Sequence, residues 1–250
     1  MSANLMSLAR SGGKFLKLFG DRKMMKTIPT ARDYVQDGLV AMWDGIENAG
    51  LGVHDPNATV WKNLVGTRDL KSSEVGCNYT IYSAGSDGLS QFLKYDGDIT
   101  LCARVEFVGV SWQDWCYFGL GTDVGLAKGL VITGDNKFRV KVQEGYHSPS
   151  WTVDVVIPNA TAGRAYSIAI VFHFATKSFD VYSDGVYISS ADVPNWNIDP
   201  DVYQMFSFGY RYDNSRCGKR FNGFVYSRAL TSAEISHNYA IDKARFNLPD

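Results

Sequence analysis

Tyr166-Ser167-Ile168-Ala169-Ile170-Val171, followed by Phe179-Asp180-Val181-Tyr182-Ser183-Asp184-Gly185, is the stretch whose reading decides the fold. The first run continues to Ala175 and is rich in β-branched and aromatic residues, as a strand would be. Asp184-Gly185 supplies the backbone freedom of a two-residue type I′ turn, with strand-forming residues on either side. The pair is therefore predicted to join a strand at Phe179–Ser183 to one at Val186–Ser190.

Working outward, Leu39-Val40-Ala41-Met42-Trp43 is an apolar run between Asp37-Gly38 and Asp44-Gly45, a buried strand bounded by turn residues. The same signals predict strands at Leu89–Tyr95, Leu101–Val110, Trp115–Leu120, Leu130–Thr133, Phe138–Gln143, Trp151–Ile157, Gln204–Arg211 and Phe221–Arg228. One helix is predicted near the C-terminal end. Thr231 caps it, Glu234 occupies the capping-box position, and Ile235, Tyr239 and Ala240 form its apolar face. Many short strands and little helix imply an all-β antiparallel sandwich or barrel.

Across the 250 residues, 45% are hydrophobic and 20% charged, the balance of a packed protein. The net charge of −1 argues against nucleic acid as partner of the whole chain. It is unevenly spread. Residues 1–32 carry seven basic side chains against Asp21, a net of +6, which leaves −7 for the remainder. The chain thus divides into a basic extension, residues 1–36, and a body, 37–250. In the extension, Lys14 and Lys17 interleave with Phe15, Leu16, Leu18 and Phe19, a pattern suited to lying on a membrane, binding an acidic surface or packing against a protein partner, and taken here as the assembly contact. No run approaches the roughly 20 apolar residues of a membrane span, and no secretory apolar core stands at the start. Cys77, Cys102, Cys116 and Cys217 are too scattered for zinc or redox spacing, and Cys102 and Cys116 read as buried free thiols.

Three segments in this order resemble a laminin-G-like domain of the concanavalin A-like lectin and glucanase superfamily. They are Asp37–Asp44 followed by Trp61-Lys62-Asn63-Leu64, the Tyr166–Gly185 hairpin, and Phe221-Asn222-Gly223-Phe224-Val225-Tyr226 running into Thr231–Ile235. The resemblance covers about residues 37–240 and implies a concanavalin A-like jelly roll. It also implies loops able to bind carbohydrate, and it admits calcium held by loop oxygens. Trp43, Trp61 and Tyr182 read as core within it. With a basic leader, the chain resembles bacteriophage and gut-bacterial surface proteins.

The glucan-cleaving members carry a Glu-x-Asp carboxylate pair on one strand. Here the five glutamates, Glu47, Glu74, Glu106, Glu144 and Glu234, are never followed at the second position by Asp. No catalytic residue is assigned. His54, His147, His173 and His237 lack metal-ligand spacing, and His173 falls on the sheet face opposite Ile170 and Phe172. Sugar binding needs aromatic platforms beside amides and carboxylates. Trp112, Trp115, Tyr146, Trp151, Trp196, Tyr210, Tyr212 and Asp213 supply that mixture. The same clusters also suit loop-anchoring aromatics or a protein interface. The expectation is a non-catalytic structural or decoration protein of a phage particle, made in the host cytoplasm. It would display a glycan-binding sandwich and dock to other particle proteins through residues 1–36. A bacterial surface adhesin is the alternative, and a divergent glycoside hydrolase the third reading.

Overall fold

The computed structural model describes residues 28–67, 69–72, 79–80, 97–107, 109, 115–121, 126–132, 137–144, 151–193, 205–208 and 219–248. Among them, fourteen strands form two antiparallel sheets and one helix covers part of the outside. The strands are β1 (Leu39–Asp44), β2 (Val60–Trp61), β3 (Leu70–Ser72), β4 (Tyr79–Thr80), β5 (Ile99–Glu106), β6 (Trp115–Gly121) and β7 (Leu126–Ile132). They continue as β8 (Phe138–Glu144), β9 (Trp151–Val156), β10 (Ala165–His173), β11 (Ser178–Ser183), β12 (Val186–Asp192), β13 (Met205–Phe208) and β14 (Arg220–Tyr226). Helix α1 spans Ser232–Arg245. The six-stranded sheet runs β1-β14-β5-β10-β11-β12, and the eight-stranded sheet runs β2-β3-β4-β13-β6-β7-β8-β9. The fold is an antiparallel β-sandwich with a short C-terminal helix, as the sequence implies.

The deciding hairpin forms as predicted. Ser183 pairs with Val186, and Asp184 and Gly185 between them both hold positive φ, 51° and 77°, which the type I′ turn requires. Strand β10 is central, pairing with β5 on one side and β11 on the other. Its Tyr166, Ile168, Ile170 and Phe172 enter the core between the sheets, where they join Trp43, Trp61, Leu101, Val105, Phe138, Val140 and Val181. Its Ala169 and Val171 face the other way, into a second apolar cluster with Tyr34, Met42, Cys102, Phe224, Tyr226 and Ile235 of α1. Burial on both faces explains the near-continuous apolar run. Cys102 is a buried free thiol.

Helix α1 starts at the anticipated capping box. The Thr231 hydroxyl accepts from the Glu234 N–H, and Glu234 accepts from the Thr231 N–H. Ile235 is its buried apolar contact, while Asn238, Asp242 and Arg245 are buried polar ones.

Two features differ from the sequence reading. The body does not begin at residue 37. Thr30 caps a single 3-10 turn, Ala31–Asp33, through a second capping box, and Ala31 and Tyr34 are buried against the sheet and α1. Residues 31–36 are therefore packed with the body. The short strands β2, β3 and β4, of two or three residues, carry too little alternation to be read from sequence. The strand expected at Leu89–Tyr95 lies outside the described residues, as do Lys14, Phe15, Leu16, Lys17, Leu18 and Phe19.

Candidate functional site

Polar groups gather where α1 and residues 31–36 cross one end of the six-stranded sheet. Asp242 of α1 accepts from Tyr34 Oη at 2.7 Å, from Asn222 Nδ2 at 2.7 Å and from Ser167 Oγ at 2.6 Å. Asn222 uses its oxygen to accept from the Arg104 N–H at 3.0 Å, and Arg104 Nη1 donates to Ser167 Oγ at 2.9 Å. The Arg104 guanidinium also lies over the rings of Phe221 and Phe246, 5.4 and 5.7 Å from their centroids. One turn of α1 further, Arg245 reaches Asp44 and Glu47, with Nη1–Oδ2 at 2.9 Å and Nη2–Oε1 at 3.0 Å. Glu47 accepts in addition from the N–H groups of Ala31 and Gly52, both at 2.7 Å.

The electrostatics follow from burial. Loss of water pushes the Asp242 carboxyl up from its ordinary range, against the pull of the Ser167, Tyr34 and Asn222 hydrogen bonds. Burial likewise pushes Asp44 up, opposed chiefly by Arg245. The Tyr34 hydroxyl is held well above its ordinary value by burial and then by the Asp242 charge, so it stays a donor.

Carboxylates in this setting invite a catalytic reading, and geometry argues against it for this cluster. Both acids beside Arg245 are committed to it and to backbone donors. The cavity that Ser167, Asn222, Asn238 and Asp242 help to line is about 20 Å³, enough for one water and for no sugar. The cluster instead fastens the chain entry and α1 onto the sheet. Sequence reading missed it because its members are spread from Tyr34 to Arg245 and resemble ordinary surface polar residues. The one available signal is a helix carrying Asn238, Asp242 and Arg245 on the side of Ile235.

At the opposite end of the same sheet, His173 sits between two acids. Nδ1 lies 3.4 Å from Asp98 Oδ2 and Nε2 lies 3.1 Å from Asp180 Oδ2. A neutral ring can donate to one of them and a protonated ring to both. The ring lies on the sheet face opposite Ile170 and Phe172, as alternation suggests. Among the described residues no group of three or more His, Cys, Asp or Glu is placed to hold a metal ion.

Of the eight candidate sugar-binding residues, Trp112, Tyr146, Trp196, Tyr210, Tyr212 and Asp213 lie outside the described residues. Trp115 and Trp151 are described in backbone only. The register places these two apart. Trp115 pairs with Ile132, in the row of Phe138, whereas Trp151 pairs with Glu144, in the row of Leu126. They therefore stand at opposite ends of the eight-stranded sheet and do not share a site. Trp43, Trp61 and Tyr182 are buried, as expected of core residues.

A third feature is a groove of about 420 Å³ at the chain entry, lined by Ala31, Arg32, Gln36, Met42, Leu51, Leu64 and Val65.

No sequence-family profile matches the chain, and no curated protein matches it in sequence. Solved structures do match in shape. Trypanosoma rangeli sialidase in complex with 2,3-difluorosialic acid, a covalent intermediate, is similar over 87% of this chain and 34% of its own, with 18% identity and a TM-score of 0.56. The same organism's sialidase in complex with the inhibitor DANA is similar over 94% of this chain and 38% of its own, with 15% identity and a TM-score of 0.56. The chain thus spans little more than a third of the length of these sialidases. What it shares with that third is the β-sandwich fold.

Proposed function

We propose that this chain is a non-catalytic structural or decoration protein of a bacteriophage particle, displaying a laminin-G-like sandwich that binds a surface glycan and attaching through its basic N-terminal segment. The observation that carries the reading is the contrast between the parts. A sandwich in which buried Asp44 and Glu47 are locked into ion pairs with Arg245 follows a segment, residues 1–27, with six basic side chains against Asp21. Such a body suits display and such a segment suits attachment. The Glu-x-Asp pair of glucan-cleaving relatives is absent from the sequence, which supports binding over cleavage.

The order of the strands supports a grouping of the candidate glycan contacts. The segment containing Trp112 lies between β5 and β6, and that containing Tyr210, Tyr212 and Asp213 lies between β13 and β14. The flanking ends of these four strands meet at one end of the sandwich, where the Lys219 carbonyl accepts from the Glu106 N–H and Phe107 stacks on Phe138. We take Trp112, Tyr210, Tyr212 and Asp213 with Trp115 as the favoured candidates for a glycan contact, and Tyr146, Trp151 and Trp196 as a second group.

The test is a glycan array probed with the full chain, including sialic acid, which the Trypanosoma rangeli enzyme holds in its solved complexes. Binding to one glycan class is expected, lost in Trp112→Ala/Tyr210→Ala and kept in Tyr146→Ala/Trp196→Ala. Attachment is tested by co-sedimentation with particles, which deletion of residues 1–27 should abolish. Silence across the array removes the glycan role, and retention of the deletion variant on particles removes the attachment role.

A further inference from the structure

Buried Glu47 holds two surface features in fixed relation. One carboxylate oxygen accepts from the Ala31 N–H on the wall of the entry groove and the other from the Gly52 N–H, both at 2.7 Å. Arg245 anchors the same carboxylate from α1 at 3.0 Å. The loop around Gly52 is tied to itself as well. The Ala49 N–H donates to the Val53 carbonyl and the Val53 N–H to that of Gly50, while Gly50 and Gly52 hold φ of 137° and 74°. Buried Asn48 exchanges two 2.8 Å hydrogen bonds with the Asp55 backbone. These ties fix where the loop points its side chains, and Leu51 and Val53 are 41% and 52% exposed. With Ile28, Ile46 and Val65 they make five of the eight exposed large apolar side chains among the described residues. The groove of about 420 Å³ lies alongside, with Leu51 on its wall beside Met42, Leu64 and Val65. Apolar surface concentrated in this way and held in place marks an interaction surface.

Charge identifies the partner. Most charged side chains between residues 28 and 65 are already committed. Asp44 and Glu47 pair with Arg245, Asp37 with Arg228 and Lys62 with Asp69, and the Asp33 carboxylate accepts from the Thr30 N–H and hydroxyl. Arg32 and Asp55 remain, neither in an ion pair among the described residues, Asp55 accepting only from the nearby Asn57 N–H. Their signs are opposite and they belong to different features, Arg32 to the groove and Asp55 to the loop. One face thus offers an apolar projection with an acid and an apolar recess with a base. Self-complementarity of this kind is what a twofold dimer needs, because each copy presents the same patch to the other.

We propose that this face is the interface of a homodimer of the chain. Each copy seats Leu51 and Val53 against the groove of the other, and Asp55 of each meets the partner's Arg32. The loop arrives already shaped, so little ordering cost opposes association. The dimer does not depend on the particle or the glycan reading, and failure of any one leaves the others standing.

Sedimentation velocity of the full chain from about 1 to 100 µM tests it, since interfaces of ordinary size reach micromolar affinity or better. A monomer–dimer equilibrium is expected. Leu51→Asp/Val53→Asp should weaken it at least tenfold, which is ~1.4 kcal/mol. Arg32→Asp and Asp55→Arg should each weaken it about tenfold, because twofold symmetry repeats the contact, and the two reversals in one chain should restore it. All four side chains are exposed, so every variant should keep the parent's cooperative melt, which is measured alongside. A chain monomeric over the whole range, a dimer indifferent to Leu51→Asp/Val53→Asp, or a pair of charge reversals that fails to restore association would each overturn the proposal.

Discussion

On its inner face the six-stranded sheet presents Trp43, Leu101, Val105, Ile168, Ile170, Phe172 and Val181 to the opposing sheet, with apolar neighbours throughout. On its outer face it presents Cys102, Ala169, Val171 and Phe224 beside Asp44, Arg104, Ser167 and Asn222, which continue into Asp242 and Arg245 of α1. The inner layer is non-directional and tolerates repacking. The outer layer depends on partners. The Arg245 side chain is 1% exposed and that of Asp44 0%, so removing Arg245 leaves the buried Asp44 carboxylate without its counterpart. Two faces of one sheet, each buried, thus respond to substitution by different rules.

The largest effect separates two truncations. Deleting residues 1–36 removes Tyr34 and Ala31, and with them the donors that serve Asp242 and Glu47 and the Val35 N–H that donates to Asn238. Losing a buried aromatic ring costs about 3–5 kcal/mol, and each stranded polar partner about 1–3 more. That sum rivals the whole stability of a domain, about 5–15 kcal/mol. Limited proteolysis should find α1 released in this variant. Deleting residues 1–27 spares every one of those contacts and should leave a cooperative melt. Equal melts for the two variants would remove the outer layer from the folded unit.

Next in size, Arg245→Leu should cost about 3–5 kcal/mol, against about 0.5–1.5 kcal/mol for Ile170→Val on the inner face, both read from urea denaturation. The contrast fails if the order is reversed.

Legibility in the sequence follows the same division. β10, β11 and the turn at Asp184-Gly185 were readable because local alternation and turn chemistry determine them. The capping box at Thr231 and Glu234 was readable for the same reason. The outer polar layer was not, because Tyr34, Asp44, Asn222 and Asp242 become neighbours only once the sheet has formed. Nor was the role of residues 31–36, since Ala31 and Tyr34 are buried by contacts with Glu47 and α1, about 16 and 208 positions away. The aromatic loop residues could be named from sequence but not grouped. The separation of Trp115 from Trp151 depends on register, which a list of strands does not contain.

A smaller effect tests the turn itself. Gly185 holds φ of 77°, and a Cβ added there would lie 3.0 Å from Cδ1 of Tyr239 on α1. Gly185→Ala should cost about 1–2 kcal/mol from the left-handed backbone, raised or lowered by how far Tyr239 can yield. Gly163 also has positive φ but meets nothing within 4 Å, so Gly163→Ala isolates the backbone part. If the two variants melt alike, the contact of the turn with α1 contributes nothing.

The smallest effect is a pH dependence at the start of α1. Glu234 accepts from Arg228 Nη2 at 2.5 Å and Nη1 at 3.0 Å, and from the Thr231 N–H at 2.8 Å. The Arg228 hydrogen bonds first, and then those from Thr231, hold its carboxyl down to about 2 from an ordinary 4.5. A carboxyl whose folded value lies below its unfolded one contributes its full stability above the unfolded value, near 4.5, and loses it as pH falls toward 2. The side chain is 27% exposed, so solvent screens much of the attraction and about 1 kcal/mol is expected, close to that of a helix cap. Glu234→Gln should therefore melt below the parent chain at pH 7, with the gap closing between pH 4.5 and 2. Added salt should narrow the gap at pH 7. A gap that persists unchanged to the acid limit would mean that Glu234 acts through shape and neutral hydrogen bonds, and its ion pair with Arg228 would then contribute nothing to holding α1 on the outer face.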